Sequence, residues 1–578
     1  MRSFRHISNI DYSAIHPMRI LFSPSSPSHA DPVGCLRENE KCRFSVDVPR
    51  DCPVKQLFLE LSRDDGFEMT VPLSAEGGKG DYVTFSCTFA LFGCGLYFYC
   101  FRFVTEISEF RLYRLGDGDT NMEAGEKWQI SCIPAGYSTP EELQGAVMYQ
   151  IFPDRFAVSG ECDLSQKMTP YTVHSDRTEP PRKGPDSDGN WNNDFYGGNF
   201  RGIAGKLPYL SSLGCEVIYL NPIFKAYSNH RYDTADYKKP DPMLGTEEDF
   251  AFLCAEAGKH GIKIILDGVF SHVGSDSIYF DAKHRFGTGA VSNPASEYRD
   301  WFTFRHFPDD YVSWWDVPTL PCVDKNAPSF VGYIIDEPDS VVAHWMKLGA
   351  AGFRLDVADE LPDGFIARLR KRVKEINPAG LVIGEVWEDA STKCAYGVRR
   401  RYFTGGELDG VMNYPYRSLI IGFVTGKTAP ADFVSGIMRI YENYPRQALL
   451  TCMTSLSTHD TERIMTALSE SLPAEKVGEA MRCAAAIQFF LPGMPCIYYG
   501  DETGMTGGAD PFNRGFFTEN DRELTEFYRR LGNMRKNSPA LRRGTLEITE
   551  KPGAVVISRS LGGEKRTLTV SPTEFDIR

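Results

Sequence analysis

Residues 352–360 read GFRLDVADE. After Gly352 and Phe353, charge alternates with apolar bulk through Arg354, Leu355, Asp356 and Val357. A period of two is the signature of a strand, and it places Arg354 and Asp356 on the same side of that strand. A strand that turns both charges toward a core has to pair them or use them, because burying an unpaired charge is costly. Two readings are open at this point: a structural ion pair at a strand end, or a nucleophilic carboxylate kept ionised by its guanidinium neighbour.

Working outward, the same arrangement recurs three times. Residues 264–272, IILDGVFSH, end an apolar run with Asp267 and His272. Residues 382–387, VIGEVW, end one with Glu385 and Trp387, and 455–463, SLSTHDTER, carry His459 and Asp460. A single strand-end carboxylate often does no more than cap a helix. Four in one register are far harder to explain that way.

The surrounding pattern alternates short apolar runs with helical stretches. Candidate strands are Ala146–Phe152, Cys215–Phe224, Ile262–Val269, Gly352–Val357, Leu381–Val386, Gly410–Tyr414, Leu450–Ser455 and Cys496–Tyr499, with helices such as Glu247–His260 and Ile366–Ile376 between them. Eight such units predict an α/β fold, a (β/α)8 TIM barrel, whose strand ends converge on one pocket. An open doubly wound sheet is the alternative, but no GxGxxG follows the first strand. Two connections exceed a simple crossover: Pro153–Leu210, with KGPDSDGNWNNDFYGGNF, and Phe270–Gly349, rich in aromatics (Trp301, Phe302, Phe304, Trp314, Trp315). Long insertions of this kind usually serve function.

Ahead of the barrel, alternating segments Gln56–Leu61, Tyr82–Phe89 and Leu96–Phe103 between Gly, Pro and Asp clusters predict a β-sandwich. GLYFYCFRF (95–103) is aromatic on both alternations, so one face packs a core and the other is free to meet sugar or protein. Gly136–Glu142 reads as a linker. Behind the barrel come a helix near Arg522–Lys536 and a short β tail. The expected domains are residues 1–135 (N-terminal β-sandwich), 136–537 (barrel, with an insertion domain at about 273–330) and 538–578 (short C-terminal β domain).

The bulk properties narrow the partners. The 578 residues carry a formal charge of −14, which argues against nucleic acid and anionic membranes and fits a neutral substrate. Hydrophobic content of 42% and charged content of 24% are ordinary for a globular enzyme. No apolar run reaches transmembrane length, and the first twenty residues lack a signal-peptide core. Fifteen Cys occur without a CxxC pair, so reduced, buried thiols in a cytoplasmic protein are expected rather than zinc or redox sites.

Several carboxylates, two histidines, one arginine and abundant aromatics suit glycosidic bond cleavage. That reaction needs one acid for the leaving oxygen and one carboxylate for the oxocarbenium-like carbon. The motifs DGVFSH (267–272), GFRLDVADE (352–360), GEVW (384–387) and STHD (457–460) together resemble those of the α-amylase superfamily of glycoside hydrolases. VMYQIFPDRF (147–156), EVIYLNPIF (216–224), NHRYDTADY (229–237), LPCVD (320–324) and YYGDETG (498–504) resemble further family segments. The β-rich front domain and the ADE ending resemble the neopullulanase, cyclomaltodextrinase and maltogenic amylase branch.

The resemblance implies Asp356 as nucleophile, Glu385 as general acid/base and Asp460 as the third carboxylate gripping sugar hydroxyls. It implies that His272 and His459 bind hydroxyls, that Tyr232 stacks on the ring at the cleavage point with His230 beside it, and that Arg354 lowers the pKa of Asp356. Asp267 has a supporting role. Glu360 and Trp387 line the leaving-group side, and Asp510 and Arg514 hold the sugar beyond the cleavage point. The expected substrate is an α-glucan: maltooligosaccharide, cyclodextrin or pullulan, cut at α-1,4 bonds through a covalent glucosyl-enzyme with transglycosylation open to it. An α-1,6-acting enzyme or a 4-α-glucanotransferase stays open, as does a non-catalytic glucan-binding scaffold. No cofactor is required for the chemistry. A structural calcium has weak candidates in Asn193, Asp194 and Gly198, and Ser271 and Asn199 depart from the calcium-binding pattern. The branch also implies a homodimer through the N-terminal domain.

Overall fold

The computed structural model describes residues 19–114, 120–122 and 125–578. Most of the expectation of a missing signal peptide concerns residues outside that set.

All eight expected barrel strands are present, the first seven shorter than their apolar runs and the eighth starting two residues earlier than expected. They are β1 Met148–Ile151, β2 Val217–Leu220, β3 Lys263–Gly268, β4 Gly352–Leu355, β5 Leu381–Gly384, β6 Gly410–Val411, β7 Met453–Ser455 and β8 Met494–Tyr498. They pair in the parallel order β6-β5-β4-β3-β2-β1-β8-β7, and a single parallel bridge, Met412 to Met453, closes the ring. Leu450, read as the start of the seventh strand, instead belongs to the helix Arg446–Thr451. An apolar run cannot by itself distinguish a buried helical turn from a strand.

Side-chain parity explains why the polar groups meet. Val217, Tyr219, Ile265, Leu381 and Ile383 pack in the barrel interior with Met148, Met412 and Met494. Ile218, Ile264, Phe353 and Val382 face the surrounding helices. Alternation then turns Asp267, Arg354, Asp356 and Glu385 inward, one or two steps past the last apolar layer. Gly352 allows β4 to start so close to β5: a Cβ there would lie 1.9 Å from the Leu381 carbonyl oxygen, and its φ is 146°.

The front domain consists of two antiparallel sheets joined by the long strand Glu68–Lys79. That strand pairs with Val54–Arg63 along its first half and with Tyr82–Ala90 along its second. Phe44, Tyr99, Phe101 and Trp128 form the core between the sheets, with Phe44 5.0 Å from Tyr99 by ring centroids. On the outer face of the aromatic strand Gly95–Thr105, Phe98 meets Arg399 of the barrel, whose guanidinium lies 5.6 Å from the ring centroid. Arg399 also pairs with Asp64. The segment expected as a linker is packed down, because Tyr137 is buried and donates to the Leu408 carbonyl at 2.7 Å.

The terminal segment forms a four-stranded antiparallel sheet, Thr545–Lys551, Ala554–Leu561, Glu564–Val570 and Phe575–Ile577. Its buried Arg559 donates to the carbonyls of Phe490 and Gly544 at 2.8 and 3.0 Å, which anchors the sheet to the helix between β7 and β8, Ala474–Phe490.

Candidate active site

Arg354 is the hub of the barrel mouth. It is fully buried, with Nη1 2.7 Å from Asp267 Oδ1 and 2.9 Å from Asp356 Oδ1, and Nη2 2.7 Å from Glu385 Oε2. One cation therefore serves three carboxylates. Glu385 also accepts the Val357 backbone N–H at 2.8 Å on Oε2 and the Trp387 indole N–H at 3.0 Å on Oε1. To aim that backbone donor, Val357 adopts φ 35° and ψ 67°. A β-branched residue in this left-handed region is strained, and such strain gathers at functional sites.

The sharing of Arg354 changes the electrostatics expected from sequence. Burial pushes the Asp356 carboxyl well above the ordinary aspartate range. Glu385, Asp267 and Asp460 push it further, while Arg354 opposes them. Arg354 does lower the Asp356 pKa, as expected, but a guanidinium divided among three buried acids does not offset their desolvation and mutual repulsion, so the net shift is upward. Asp460 behaves in the opposite way. Burial raises it, but His459, Arg514 and Arg354 outweigh that and hold it below the ordinary range. Its Oδ2 lies 3.0 Å from His459 Nε2 and its Oδ1 3.6 Å from Arg514 Nη2.

A hydrogen-bonded chain runs across the floor. The Tyr232 hydroxyl lies 2.5 Å from His459 Nε2 and donates to Asp267 Oδ2 at 3.0 Å. Tyr219 donates to the same oxygen at 2.6 Å. Gln150 reaches His459 Nδ1 at 2.9 Å and donates to Asn221 at 2.9 Å. The rings of Tyr232 and His459 stack at 5.6 Å and 11°. His272 sits under Trp314, 5.3 Å between centroids, with Nε2 3.1 Å from the Tyr232 carbonyl. Burial pushes both His230 and His272 down to about 3, with Arg514 adding to the effect at His230. Both imidazoles are therefore neutral hydrogen-bonding groups at ordinary pH.

Of the residues singled out from sequence, His230, Tyr232, His272, Asp356, Glu360, Glu385, Trp387, Asp460, Asp510 and Arg514 all line one pocket of about 620 Å³. Arg354 and His459 lie buried directly behind it. Arg514 holds Asp510 at 2.9 Å. Sequence reasoning missed Gln150, Tyr219 and Asn221, whose inward parity on β1 and β2 was the available signal. It also missed Tyr414, which stacks on Trp387 at 4.0 Å and 4°.

The calcium candidates sit in the β1 loop and are already spoken for. Asp194 Oδ2 lies 3.1 Å from His174 Nε2 and accepts the Arg182 N–H at 3.1 Å, while its Oδ1 accepts from Asn229 at 2.9 Å. Asn193 Oδ1 accepts from Arg182 at 3.1 Å. At Gly198 a Cβ would lie 2.2 Å from the Pro153 carbonyl oxygen. Protein cations and donors occupy the oxygens a divalent ion would need, so this donor set does not fit calcium, and no step is derived through one.

Comparison with known proteins extends these observations. The family model "Alpha amylase, catalytic domain" matches residues 150–544. An amylopullulanase from Thermoanaerobacter thermohydrosulfuricus is 35% identical over 497 residues, covering 76% of this chain but 33% of that protein, so the chain spans about a third of its length. Neopullulanase 2 from Thermoactinomyces vulgaris is 36% identical over 423 residues, covering 71% of this chain and 66% of that protein. A solved cyclomaltodextrinase superposes with a TM-score of 0.68 at 25% identity, covering 96% of this chain and 91% of that one.

Proposed function

The chain belongs to the alpha-amylase family, and from that premise we propose that it hydrolyses α-1,4-glucosidic bonds of maltooligosaccharides, cyclodextrins or pullulan with retention of configuration. The observation that carries this reading is the placing of Asp356 and Glu385 on two nitrogens of one buried guanidinium, facing a single pocket. Retaining chemistry needs its two carboxyl groups about 5–5.5 Å apart, whereas an inverting pair stands at about 6.5–9.5 Å.

In this mechanism Asp356 is the nucleophile and Glu385 the general acid. Burial and the neighbouring acids raise the Asp356 pKa, so a proton is held more tightly in this crowded group than on a separate carboxylate. As positive charge develops at the anomeric carbon, the Asp356 carboxylate is favoured and the proton is needed on Glu385, which passes it to the departing glycosidic oxygen. The C1–O bond breaks as the C1–Oδ bond to Asp356 forms. Water then attacks C1, gives its proton to Glu385 and releases Asp356. Asp460, His272 and His459 grip hydroxyls of the distorted ring, Tyr232 stacks on it, and Asp510 and Arg514 hold the next sugar. Glu360 and Trp387 face the leaving group. The chemistry needs no cofactor.

The likeness to amylopullulanase favours one second reading, cleavage of α-1,6 bonds in the same pocket. Products from pullulan separate the two: panose for α-1,4 cleavage and maltotriose for α-1,6. A cytoplasmic location and a homodimer joined through the N-terminal domain complete the proposal. The first is supported by likeness to a protein named intracellular maltogenic amylase and the second by resemblance to the branch; sedimentation of the purified chain tests the dimer. Trapping a glycosyl ester on Asp356 with a fluorinated maltosyl substrate tests the chemistry, and labelling elsewhere, or inverted product, defeats it.

A further inference from the structure

Two buried amides stand behind the barrel mouth with no part yet in the chemistry. Gln150 lies in β1 and Asn221 directly after β2, and both are buried. Neither is among the residues lining the pocket. Gln150 Nε2 is 2.9 Å from Asn221 Oδ1 and 2.9 Å from His459 Nδ1. Gln150 Oε1 has no hydrogen-bond partner among the described residues. Leaving a buried amide oxygen unmatched is costly, so the orientation of this side chain is set by what its nitrogen has to reach.

The hydrogens of the floor can be followed one by one from Asp267. Its Oδ1 is held by Arg354 Nη1 at 2.7 Å, and its Oδ2 accepts the hydroxyls of Tyr219 and Tyr232 at 2.6 and 3.0 Å. A phenol has one hydrogen, so both phenol oxygens are left able only to accept. Asn221 Nδ2, 3.3 Å from each, supplies the donor they need. That turns Asn221 Oδ1 the other way, toward Gln150, which must answer with Nε2. A flipped Gln150 would set two amide oxygens against each other. The second hydrogen on Gln150 Nε2 then falls on His459 Nδ1, which has to accept it. A neutral imidazole that accepts on Nδ1 carries its proton on Nε2. The chain closes there: Nε2 lies 2.5 Å from the Tyr232 oxygen, which can only accept, and 3.0 Å from Asp460 Oδ2.

We propose that Gln150 and Asn221 are positioning residues that fix the tautomer of His459, so that its Nε2–H meets Asp460. The inference rests on the reading above, in which Asp460 grips hydroxyls of the distorted ring. With the proton on Nε2, Asp460 Oδ2 is tethered to His459 while Oδ1 stays 3.6 Å from Arg514 Nη2, and the carboxylate is held at the pocket wall. With the proton on Nδ1 instead, a bare Nε2 would confront the Tyr232 oxygen and the Asp460 carboxylate, and acceptors with no hydrogen between them repel. Asp460 would then leave the position from which it holds the sugar. Order thus passes from the ion pair of Asp267 and Arg354, through two amides at β1 and β2, to the acid that follows β7. Neither amide has to touch the sugar.

Nitrogen NMR of the chain labelled at its histidine nitrogens reads the tautomer without substrate. The His459 signals are those lost in His459→Ala, and they should show Nδ1 bare and Nε2 protonated at neutral pH. Gln150→Glu, which offers an acceptor in place of the donor, should bring a proton onto Nδ1. A protonated Nδ1 in the wild type overturns the proposal, whether or not any Gln150 variant folds. Maltosyl fluoride supplies the kinetic arm. Gln150→Met should lower kcat for fluoride release about tenfold, the equivalent of one buried hydrogen bond. KM should change little, because Asp460 holds the ring hardest in the transition state. Made in a His459→Ala background, the same substitution should cost less than about twofold, since its effect passes through the imidazole. An equal cost in both backgrounds would reduce Gln150 to a packing residue and sink the role assigned to it. A wild-type chain that releases no fluoride overturns the glycosidase reading, while the state of the ring nitrogens still decides the tautomer.

Discussion

Two of the buried acidic clusters among the described residues differ in how their charge is matched. In the β1 loop, Asp154 and Asp194 are buried beside Arg155, with Arg155 Nε 2.6 Å from Asp154 and Nη2 3.8 Å from Asp194. His174 adds a further partner, and Asp154 also accepts the backbone N–H groups of Tyr196 and Gly197 at about 3 Å. At the barrel mouth, Asp267, Asp356 and Glu385 divide one guanidinium. The first cluster is satisfied and closed. The second keeps excess negative charge facing a pocket, a cost that folding alone gives no reason to bear. Unmatched charge that faces a pocket is what sets the second cluster apart from the first.

The largest effect should come from removing one acid from each cluster. Asp356→Asn is expected to lower kcat by about 10⁴-fold, in the range seen for nucleophile removal, while leaving the unfolding midpoint unchanged or raised. Asp154→Asn should do the reverse. It strands Arg155 and should cost about 3 kcal/mol of stability, with kcat per folded molecule within about tenfold of wild type. Fluoride release from maltosyl fluoride and urea unfolding of both variants measure this. Equal destabilisation by the two substitutions would erase the distinction.

The pH dependence of stability sharpens the same contrast. Because the folded-state pKa of Asp356 is raised, the native protein binds a proton there that the unfolded chain releases above about pH 4. Its contribution to stability is therefore full below that pH and is lost as pH rises, with a slope of up to about 1.4 kcal/mol per unit. Asp460 is lowered, so its contribution is present above about pH 4 and is lost as pH falls. Urea midpoints at pH 5, 6 and 7 should then show Asp356→Asn gaining on the wild type with increasing pH, whereas the deficit of Asp460→Asn stays constant over that range and shrinks only below about pH 4. Parallel curves would mean that Asp356 ionises normally.

Much of this was legible in the primary structure, for a physical reason. Four of the barrel strands carry a functional group within a few residues of their own apolar run, so local alternation exposes Asp267, Arg354, Glu385 and Asp460 without knowledge of the fold. What alternation cannot show is how many partners one group serves. GFRLD displays Arg354 beside Asp356, and only the packing of β3 and β5 against β4 reveals that Asp267 and Glu385 claim the same cation. The ordering of His459 is hidden for a similar reason, because Gln150 stands 309 positions before it and reaches it only once the barrel closes. Asn193 and Asp194 offer suitable oxygens in the sequence, and only the structure shows that Arg155, Arg182 and His174, from elsewhere in the loop, engage them.

A smaller effect is expected at His272. Burial keeps the imidazole neutral at working pH, so it contributes hydrogen bonding rather than charge. His272→Ala should lower kcat/KM by roughly tenfold, the equivalent of one or two neutral hydrogen bonds, and should leave the acid limb of the pH–rate profile where it was. A shift of that limb would show that His272 titrates in the working range and would move it from the hydrogen-bonding floor into the charged cluster.

The smallest effect should come from Arg399, at the junction of front domain and barrel. Its pairing with Asp64 is partly exposed, and such pairs contribute about 0–1 kcal/mol. Arg399→Ala should therefore shift the unfolding midpoint little, in contrast to any charge removed from the β1-loop cluster. Fluoride release should change as little, because the acids around Arg354 are untouched. A destabilisation as large as that of Asp154→Asn would show that this one exposed pair holds the two domains together. A changed rate of fluoride release with an unchanged midpoint would show that the front domain reaches the site through Arg399.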